Sequence, residues 1–453
     1  MSMQDIYDWI DANAEECVRD LQRLVQQPSI SAQDVGLREC AALVRDMMHD
    51  DGLPAEFHEL EEGPPVVFGH LEAKQPAKTI LCYSHYDVQP PEPLDEWTHG
   101  GPWSGEIVDG VMYGRGSTDN KSGVLAFNKA AKAFLQVRGE VPVNLKFLIE
   151  GEEEIGSPNL AAWAAKNEEL LKADGMHCLD GSMETGTEVP DVSLGLKSVL
   201  FVELIARGAK MDVHSLNFPL VESPVWELIW ALNTILDRDR KILIEGWEEG
   251  IWQLGPDDEQ QLVDKAARVD LNALKDEWGI SDFALGRDGV DAIRARTYEP
   301  TANIQGMIAG YTGPGRKTII PNEARVRMDF RLIPNIQPAD AIRKLKAHLE
   351  KHGFGHIEVD AFDGAEPPYK ISVKEDISQA IIAAATEVYG ELPVVNGVSA
   401  EGAILRHVWI PCVLTGFANP GANLHAPDEN IHIGRYLQGI KYAAAIMEHF
   451  GQT

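Results

Sequence analysis

Short apolar runs alternate with amphipathic stretches along the first 195 residues, and this pattern predicts a succession of strands and helices. Thr79–Tyr83 is continuously apolar, as in a strand that is covered on both faces. Apolar and polar residues alternate from Val143 to Ile149, which is typical of a strand. Further strands are predicted at 66–71 and 176–179, and helices at 3–27, 36–50, 124–134 and 159–172. Because strands and helices alternate, the pattern indicates a mainly parallel sheet with helices on both sides.

From about residue 196 the pattern changes to the order β-α-β-β-α-β, which is that of the ferredoxin-like motif. The run 324–332 alternates most cleanly, with apolar residues on one face and Arg or Asp on the other. Residues 237–300 interrupt this unit and are rich in Trp, Glu and Asp. We interpret them as a partly helical insertion of unknown role. The predicted strands are 198–207, 302–311, 322–333 and 356–362, and the predicted helices are 224–236 and 338–352.

The α/β pattern returns after about residue 367, with helices near 375–389 and 433–449 and a strand at 408–415. We therefore predict an α/β fold with one discontinuous domain, residues 1–195 and 367–453, built on a mainly parallel sheet. Residues 196–366 are predicted to form a ferredoxin-like domain inserted into it.

The charge balance narrows the classes of partner, because 40 basic residues against 71 acidic ones give a net charge of −31. Such a chain is repelled by nucleic acid and by anionic membranes, so neither is an expected partner. The five cysteines are widely spaced without a Cys-x-x-Cys motif, which is typical of buried thiols in a reducing compartment. The first residues are acidic and amphipathic, unlike a signal peptide, and no run approaches the roughly 18 apolar residues of a membrane span. We expect a cytoplasmic protein.

Four carboxylates follow the strand that ends at Ile149. They occupy four of five consecutive positions, interrupted only by glycine: Glu150, Glu152, Glu153 and Glu154. Like charges this close repel each other, so some must be protonated or held by a cation. A solvated acidic loop is the alternative interpretation of this stretch.

Other apolar runs also end in single polar residues: His85, Asp119, Asp180 and His425. Sites in open parallel sheets form at the carboxyl ends of strands, so these side chains and the Glu153–Glu154 pair are expected to converge. Imidazoles with carboxylates suit zinc, with manganese or cobalt as substitutes. Asp87 stands two residues after His85 and is placed to orient its ring. Taken singly, Asp119 is more typical of a helix N-cap and Asp180 of a turn than either is of a metal ligand.

Several strings then identify a resemblance that covers nearly the whole chain. They are SHYDVQP at 84–90, GRGSTDNKSG at 114–123, EGEEEIGS at 150–157, Asp180, DVHS at 212–215, FRLIPN at 330–335 and LHAPDE at 424–429. With this order and spacing the chain resembles the clan MH dinuclear-zinc metallopeptidases. These include carnosinase-type dipeptidases, aminoacylase, acetylornithine deacetylase, succinyl-diaminopimelate desuccinylase and the glutamate carboxypeptidase type. The dipeptidase branch fits best.

The resemblance implies a role for each matching residue of the sheet domain. His85 and Asp180 would bind one metal ion, Glu154 and His425 the other, and Asp119 both. Glu153 would be the general base, because counting back from Gly156-Ser157 matches the family pattern Glu-Glu-x-Gly-Ser. Asp87 would support His85, and the Asp119–Asn120 peptide would be cis.

The resemblance also implies that the inserted domain is a lid through which two chains form a homodimer. His214 would reach the site of the partner subunit and stabilise the oxyanion, and Arg331 would bind the substrate carboxylate. The dipeptidase string Arg-Glu-Gly-Gly-Ser appears here as Ala400-Glu401-Gly402-Ala403-Ile404, so Gly402 is retained while the Arg and the hydroxyl are absent. This departure argues against carnosine-like substrates.

The predicted function is hydrolysis of the amide bond of dipeptides or short peptides with a free C-terminal carboxylate, with two divalent ions, zinc first. The alternative is an N-acyl amino acid deacylase or desuccinylase that uses the same site. A non-catalytic binding protein on this fold is disfavoured because all five metal-ligand positions are present. A serine hydrolase is disfavoured because no Gly-x-Ser-x-Gly elbow occurs.

Overall fold

The structure is a computed structural model, and it describes residues 1–183, 188–362, 365–399 and 410–453. The helices in these ranges are α1 Met3–Ala12, α2 Ala14–Val25, α3 Leu37–Asp50, α4 Lys121–Arg138, α5 Leu160–Lys166, α6 Glu168–Leu171, α7 Pro224–Ile235, α8 Pro256–Ala266, α9 Leu271–Trp278, α10 Gly289–Tyr298, α11 Pro338–Lys351, α12 Asp376–Tyr389 and α13 Ile433–Gln452. The strands are β1 Ala55–His58, β2 Val66–Leu71, β3 Thr79–His85, β4 Glu106–Val108, β5 Val111–Tyr113, β6 Asn144–Glu150, β7 Gly175–Ser182, β8 Asp191–Ser193, β9 Gly195–Leu196, β10 Ser198–Arg207, β11 Val213–His214, β12 Thr301–Ala309, β13 Ile319–Ile320, β14 Glu323–Leu332, β15 Glu358–Ala361, β16 Tyr369–Lys370, β17 Val394–Asn396, β18 Cys412–Ala418 and β19 Asn430–His432.

An eight-stranded sheet with the order β1-β2-β6-β3-β7-β18-β8-β17 forms the larger layer. Its centre, β6-β3-β7-β18, is parallel throughout, whereas β1, β2 and β8 join their inner neighbours in antiparallel pairs. The continuously apolar strand β3 has parallel neighbours on both sides and is buried from Ile80 to His85. The predicted α/β class with a mainly parallel sheet is confirmed.

A separate four-stranded sheet with the order β12-β14-β10-β15 is antiparallel in every pair. Its apolar face packs on α7 and α11, where Leu228, Ile235 and Leu345 join the core formed by Val202 and Val326. This strand order is that of the predicted ferredoxin-like unit. Arg327 lies on the opposite, exposed face of β14, as the alternation of that strand predicts.

The chain passes between the two sheets through a two-stranded antiparallel ribbon, in which β9 pairs with β16. The predicted domain boundary at 195/196 falls within β9, and the one at 366/367 lies shortly before β16. The insertion 237–300 contains three of the helices, α8, α9 and α10, which agrees with the expected helical content.

Several boundaries differ from the prediction. The helix expected at 3–27 is two helices, because α1 ends at Ala12 and α2 begins at Ala14. Asn13 between them is the C-cap of the first and the N-cap of the second. The helix expected at 159–172 is likewise divided into α5 and α6 at Asn167. Short strands such as β4, β5 and β17 were not predicted, because three residues do not display a period. No helix within the described ranges is both long and apolar enough to cross a membrane.

Candidate metal centre

The carboxyl ends of three neighbouring parallel strands carry the predicted site residues. His85 is the last residue of β3, Asp180 lies near the end of β7, and Glu153 follows β6 in a single 3₁₀ turn. Asp119 precedes α4, and His425 lies in the loop between β18 and β19. The sheet therefore brings residues that are distant in sequence to one edge, as expected for this class of fold.

His85 faces three carboxylates with one ring nitrogen. Its Nε2 lies 3.2 Å from Asp119 Oδ1, 3.5 Å from Asp180 Oδ1 and 3.9 Å from Glu153 Oε2. The imidazole is fully buried. His85, Asp119 and Asp180 offer ligand atoms within 4.8 Å of one another, the separation expected around one metal ion.

A second group forms on the other side of Asp119. His425 Nε2 lies 3.0 Å from Asp119 Oδ2 and 3.3 Å from Glu154 Oε2. Asp119 therefore directs one oxygen toward each imidazole. These three side chains also lie within 4.8 Å of one another, so Asp119 is common to two adjacent candidate ion sites.

The four carboxylates after β6 divide into two pairs. Glu150 accepts hydrogen bonds from the hydroxyls of Tyr83, at 2.5 Å, and Ser157, at 2.8 Å. Glu152 accepts from the Asn159 amide at 2.9 Å. Glu153 and Glu154 are instead the two that face the imidazoles. Gly151 lies between Glu150 and Glu152, and a Cβ at this position would collide with the ring of Tyr86.

Asp87 connects both halves of the centre. Its Oδ1 lies 3.3 Å from His85 Nδ1, and its carboxylate accepts the backbone N–H groups of Glu153 and Glu154 at 3.2 and 3.1 Å. The Asp87 carbonyl oxygen is also 3.1 Å from His85 Nδ1. One buried carboxylate thus positions the imidazole and the two glutamates together.

Three supporting residues were not assigned a role by the sequence reasoning. The side chain of Glu429 is fully buried and accepts backbone N–H groups of the 116–119 loop, while Arg115 donates to it at 2.8 Å. Gln89 donates two hydrogen bonds to the Glu154 carboxylate, and Asn120 donates to Asp180 at 2.6 Å. All three lie inside recognised motifs that also contain a proposed metal ligand, and this shared motif was the available signal. The Asp119–Asn120 peptide is cis.

The charges of the cluster are strongly perturbed. Burial, followed by the neighbouring carboxylates, raises the pKa of Glu153 to about 9 and that of Asp180 to about 6. Hydrogen bonds to Asp119 and Glu154 raise the pKa of His425 to about 10. For His85 burial favours the neutral ring, but Asp180 and the other carboxylates raise its pKa well above the usual value. The site concentrates negative charge beyond what two imidazoles balance.

The donor set fits a pair of divalent cations. Among the described residues, the ion-pair partners of Asp119, Glu153, Glu154 and Asp180 are the two imidazoles. His85 Nε2 is buried and makes no hydrogen bond within the described part of the chain, although it points at the carboxylates. Nitrogen and oxygen donors in this arrangement suit zinc and its neighbours among the first-row metals.

A cavity of about 140 Å³ lies against this cluster. Its lining includes Asp119, Asp180, Ser193, Ser399, Phe417 and Leu424. Gly181 of β7 also lines it, and a side chain at Gly416 of β18 would collide with the Gly181 backbone. A small substrate placed here would touch both the carboxylates and an apolar wall.

Two of the predicted lid and substrate residues, His214 and Arg331, are not part of this cluster. His214 is exposed, and its ring nitrogens contact Leu216 N at 3.1 Å and Thr318 Oγ1 at 3.3 Å. Arg331 is half-buried on β14, with its Nε 4.0 Å from Asp329. Gly402 lies outside the described residues.

The chain is similar to a family of peptidases, to curated dipeptidases and to a solved structure of that family. A model of "Peptidase family M20/M25/M40" matches residues 81–449. The Cys-Gly metallodipeptidase of Schizosaccharomyces pombe is 28% identical over 97% of both chains. The Beta-Ala-His dipeptidase of Mus musculus is 26% identical over 98% of this chain and 94% of the relative. The crystal structure of the M20 family metallo-carboxypeptidase Sso-CP2 from Sulfolobus solfataricus is 35% identical, with a TM-score of 0.82 over 97% of this chain and 100% of that one.

The chain belongs to peptidase family M20/M25/M40, since the family model covers most of its length. It is therefore a metallopeptidase, and its relatives include dipeptidases and a carboxypeptidase. The predicted family and the predicted hydrolase class are confirmed.

Proposed function

We propose that the protein is a dinuclear metal-dependent dipeptidase, which hydrolyses dipeptides or short peptides that carry a free C-terminal carboxylate. The arrangement of Asp119 is the main support, because its two oxygens lie 3.2 and 3.0 Å from the ring nitrogens of His85 and His425. The dipeptidase names of two relatives support the substrate class, and the carboxypeptidase name of a third supports the free carboxylate.

In this proposal His85 and Asp180 hold one cation, Glu154 and His425 hold the second, and Asp119 contacts both. When bound, the two cations would polarise the scissile carbonyl and make water more acidic. Zinc is the proposed metal, and the same ligands accept manganese or cobalt.

Glu153 is the proposed general base. It lies at the cluster but outside the two ligand groups, and it would remove a proton from the attacking water and deliver it to the leaving nitrogen. Burial and the neighbouring carboxylates raise its pKa, which makes the carboxylate a stronger proton acceptor. The positive charge of bound cations would favour the ionised form from which the base must start.

Asp87 is proposed to fix the tautomer and orientation of His85 through the Nδ1 contact at 3.3 Å. Because it also holds the backbone of Glu153 and Glu154, a shift of Asp87 would displace a ligand and the base together.

The lid is proposed to complete the site. Arg331 would bind the substrate carboxylate through its planar fork, and Gly402 would line the substrate pocket. His214 would donate to the oxyanion from the partner subunit of a homodimer. Exposed apolar side chains on the lid support an interface between two chains: Leu216, Leu220, Trp226, Trp230, Ile304 and Ile308.

The substrate class is tested with dipeptides, dipeptide amides and N-acetyl or N-succinyl amino acids, using the wild type and Arg331→Ala. Free dipeptides should be the best substrates. Arg331→Ala should raise KM for them about 10- to 100-fold, since a charge-assisted bidentate contact is lost, with little change for the amides. Preferential cleavage of N-acyl amino acids by the wild type would contradict the dipeptidase proposal in favour of a deacylase.

A further inference from the structure

The insertion 237–300 also contacts residues outside the lid. The chain enters and leaves the lid through the β9–β16 ribbon, which we call the hinge. Residues of the insertion contact Lys370 of β16 and Lys197, which directly follows β9. Both lysines are directed into the insertion, Lys197 from the position directly after β9 and Lys370 from the end of β16. The hinge and the insertion are therefore joined through buried charge.

Lys370 lies in a cage formed by the insertion. Its Nζ is 2.9 Å from Asp258 Oδ1, and it sits 5.1 Å from the ring centre of Trp252 and 5.7 Å from that of Tyr298. The lysine side chain is 1% exposed and that of Asp258 is 10% exposed. A buried pair of this kind leaves an uncompensated charge when either partner is removed.

Asp258 is itself held in place by the insertion. It accepts hydrogen bonds from the Gly255 backbone at 3.0 Å, the Trp252 indole at 3.1 Å and the Tyr298 hydroxyl at 3.2 Å. With Lys370 it has four donors, so the carboxylate is well satisfied despite its burial. The acceptor that binds the hinge lysine is therefore rigid.

Lys197 makes the matching contact on the other strand. Its Nζ donates to the carbonyl oxygens of Arg296 and Glu299 at 2.7 and 3.1 Å, at the C-terminal end of α10. Free carbonyls and the helix dipole favour a cation at this position. Lys197 directly precedes β10, and Val199 of β10 pairs with Arg331 of β14, so this contact lies close along the strand to the proposed substrate-binding arginine.

An apolar contact reinforces the polar ones. Leu262, Ile293 and Tyr298 of the insertion form a small core with Val398, which follows β17 of the large sheet. Gly397 has no side chain where the Tyr298 hydroxyl approaches it. The proposed substrate residue Gly402 comes four residues after Val398 in the sequence.

We infer that the contacts between residues 237–300 and the hinge form a clamp, which fixes the lid strand β14 and its Arg331 relative to the metal centre. The positioning residues of this hinge clamp are Asp258 in the insertion and Lys197 and Lys370 at the hinge. None of them touches the reacting atoms. The inference rests on the proposed function only for the role of Arg331, since the clamp itself is a contact between the insertion and the hinge.

The test compares Lys370→Met, Lys370→Arg and the control Lys374→Met in the metal-loaded full-length enzyme. Lys374 pairs with Asp257 at 2.7 Å between the same two segments, but both side chains are exposed. Hydrogen exchange is measured at the amides of Ile371, which directly follows β16 and donates to Leu194, and of Ser399, which donates to Gly195 of β9. KM and kcat are measured with a free dipeptide.

Lys370→Met should speed exchange at these two amides about tenfold, because local opening becomes easier. It should raise KM about tenfold while kcat changes less than about twofold, since the substrate contact is displaced and the chemistry is not. Lys370→Arg should restore both values, and Lys374→Met should resemble the wild type. If Lys370→Met does not fold, Tyr298→Phe, which removes one hydroxyl, should show the same changes to a smaller degree.

The clamp is overturned if exchange and KM are unchanged in Lys370→Met, or if exchange rises equally in the β10–β14 pair, which would indicate general destabilisation. It is also overturned if Lys374→Met has the same effects. Faster hinge exchange in an enzyme that cleaves no dipeptide would support the clamp and refute the proposed function, so the two failures are distinguishable.

Discussion

Among the residues that the structure describes, two clusters of carboxylates have the spacing of a cation site, and they are neutralised differently. In the first, between α2, α3 and α4, Glu16, Asp20 and Asp51 lie within 4.8 Å of one another. Lys129 and Lys132 insert between them, with Nζ–oxygen distances of 2.5 to 2.9 Å. This cluster contains its own cations.

In the second cluster, Asp119, Asp180, Glu153 and Glu154 face two imidazoles, and within the described ranges no lysine or arginine forms an ion pair with them. The contrast shows that a group of carboxylates indicates a metal only when the chain does not supply the positive charge. Where lysines are present the acids stabilise the fold, and where they are absent the acids are available to bind ions.

The largest expected effect comes from Glu153→Gln, which keeps the size of the side chain and removes the base. Turnover should fall about 10²- to 10⁴-fold while metal content stays at the wild-type value, since general base catalysis contributes about this much. Steady-state kinetics and elemental analysis are the measurements. Glu152→Gln is the matched control, because Glu152 is held by Asn159 away from the imidazoles. If the control lost turnover instead, the assignment of the base would be wrong by one residue.

Asp51→Asn tests the lysine-filled cluster. Its side chain is 2% exposed and contacts both lysines, so the change should lower the free energy of unfolding by about 3 kcal/mol and leave metal content and KM unchanged. Urea unfolding measures the loss. Asp46→Asn on the exposed side of α3 should change stability by less than about 0.5 kcal/mol. A loss of bound metal in Asp51→Asn would remove the distinction between the clusters.

His177 is a third case, a buried ionisable group kept neutral. Burial lowers the pKa of His177 to about 3, and its Nε2 lies 2.8 Å from Thr415 Oγ1. The unfolded chain, with a pKa near 6.5, takes up the proton first, so stability falls as pH drops from about 6.5 toward 3. The wild type should lose about 1.4 kcal/mol per pH unit more than His177→Asn in this window. Unfolding curves at pH 6, 5 and 4 measure the difference, and parallel pH dependences would contradict it.

The sheet and its edge residues were predictable because the strands are long enough to show their period and end in single polar residues. His85 after an apolar run and the glutamates after β6 are examples. The division of the four carboxylates depended on the family pattern, because spacing alone does not tell Glu152 from Glu153.

The hinge contacts were not predictable in the same way. Lys370 and Asp258 are each ordinary charged residues in sequence, and only the folded chain brings them together. Glu429 is similar, since its hydrogen-bond donors at 116–119 lie 310 to 313 residues earlier in the sequence. Long-range polar contacts carry no local periodicity, and so the role of the insertion was left open by the sequence.

The most direct test of the account is the number of divalent ions bound per chain, measured by elemental analysis of the purified protein together with Asp119→Asn and Asp51→Asn. The wild type and Asp51→Asn should each bind two ions, and Asp119→Asn should lose at least one together with its activity. A wild type that is fully active without bound metal, or an Asp119→Asn variant that retains both ions, would contradict the account.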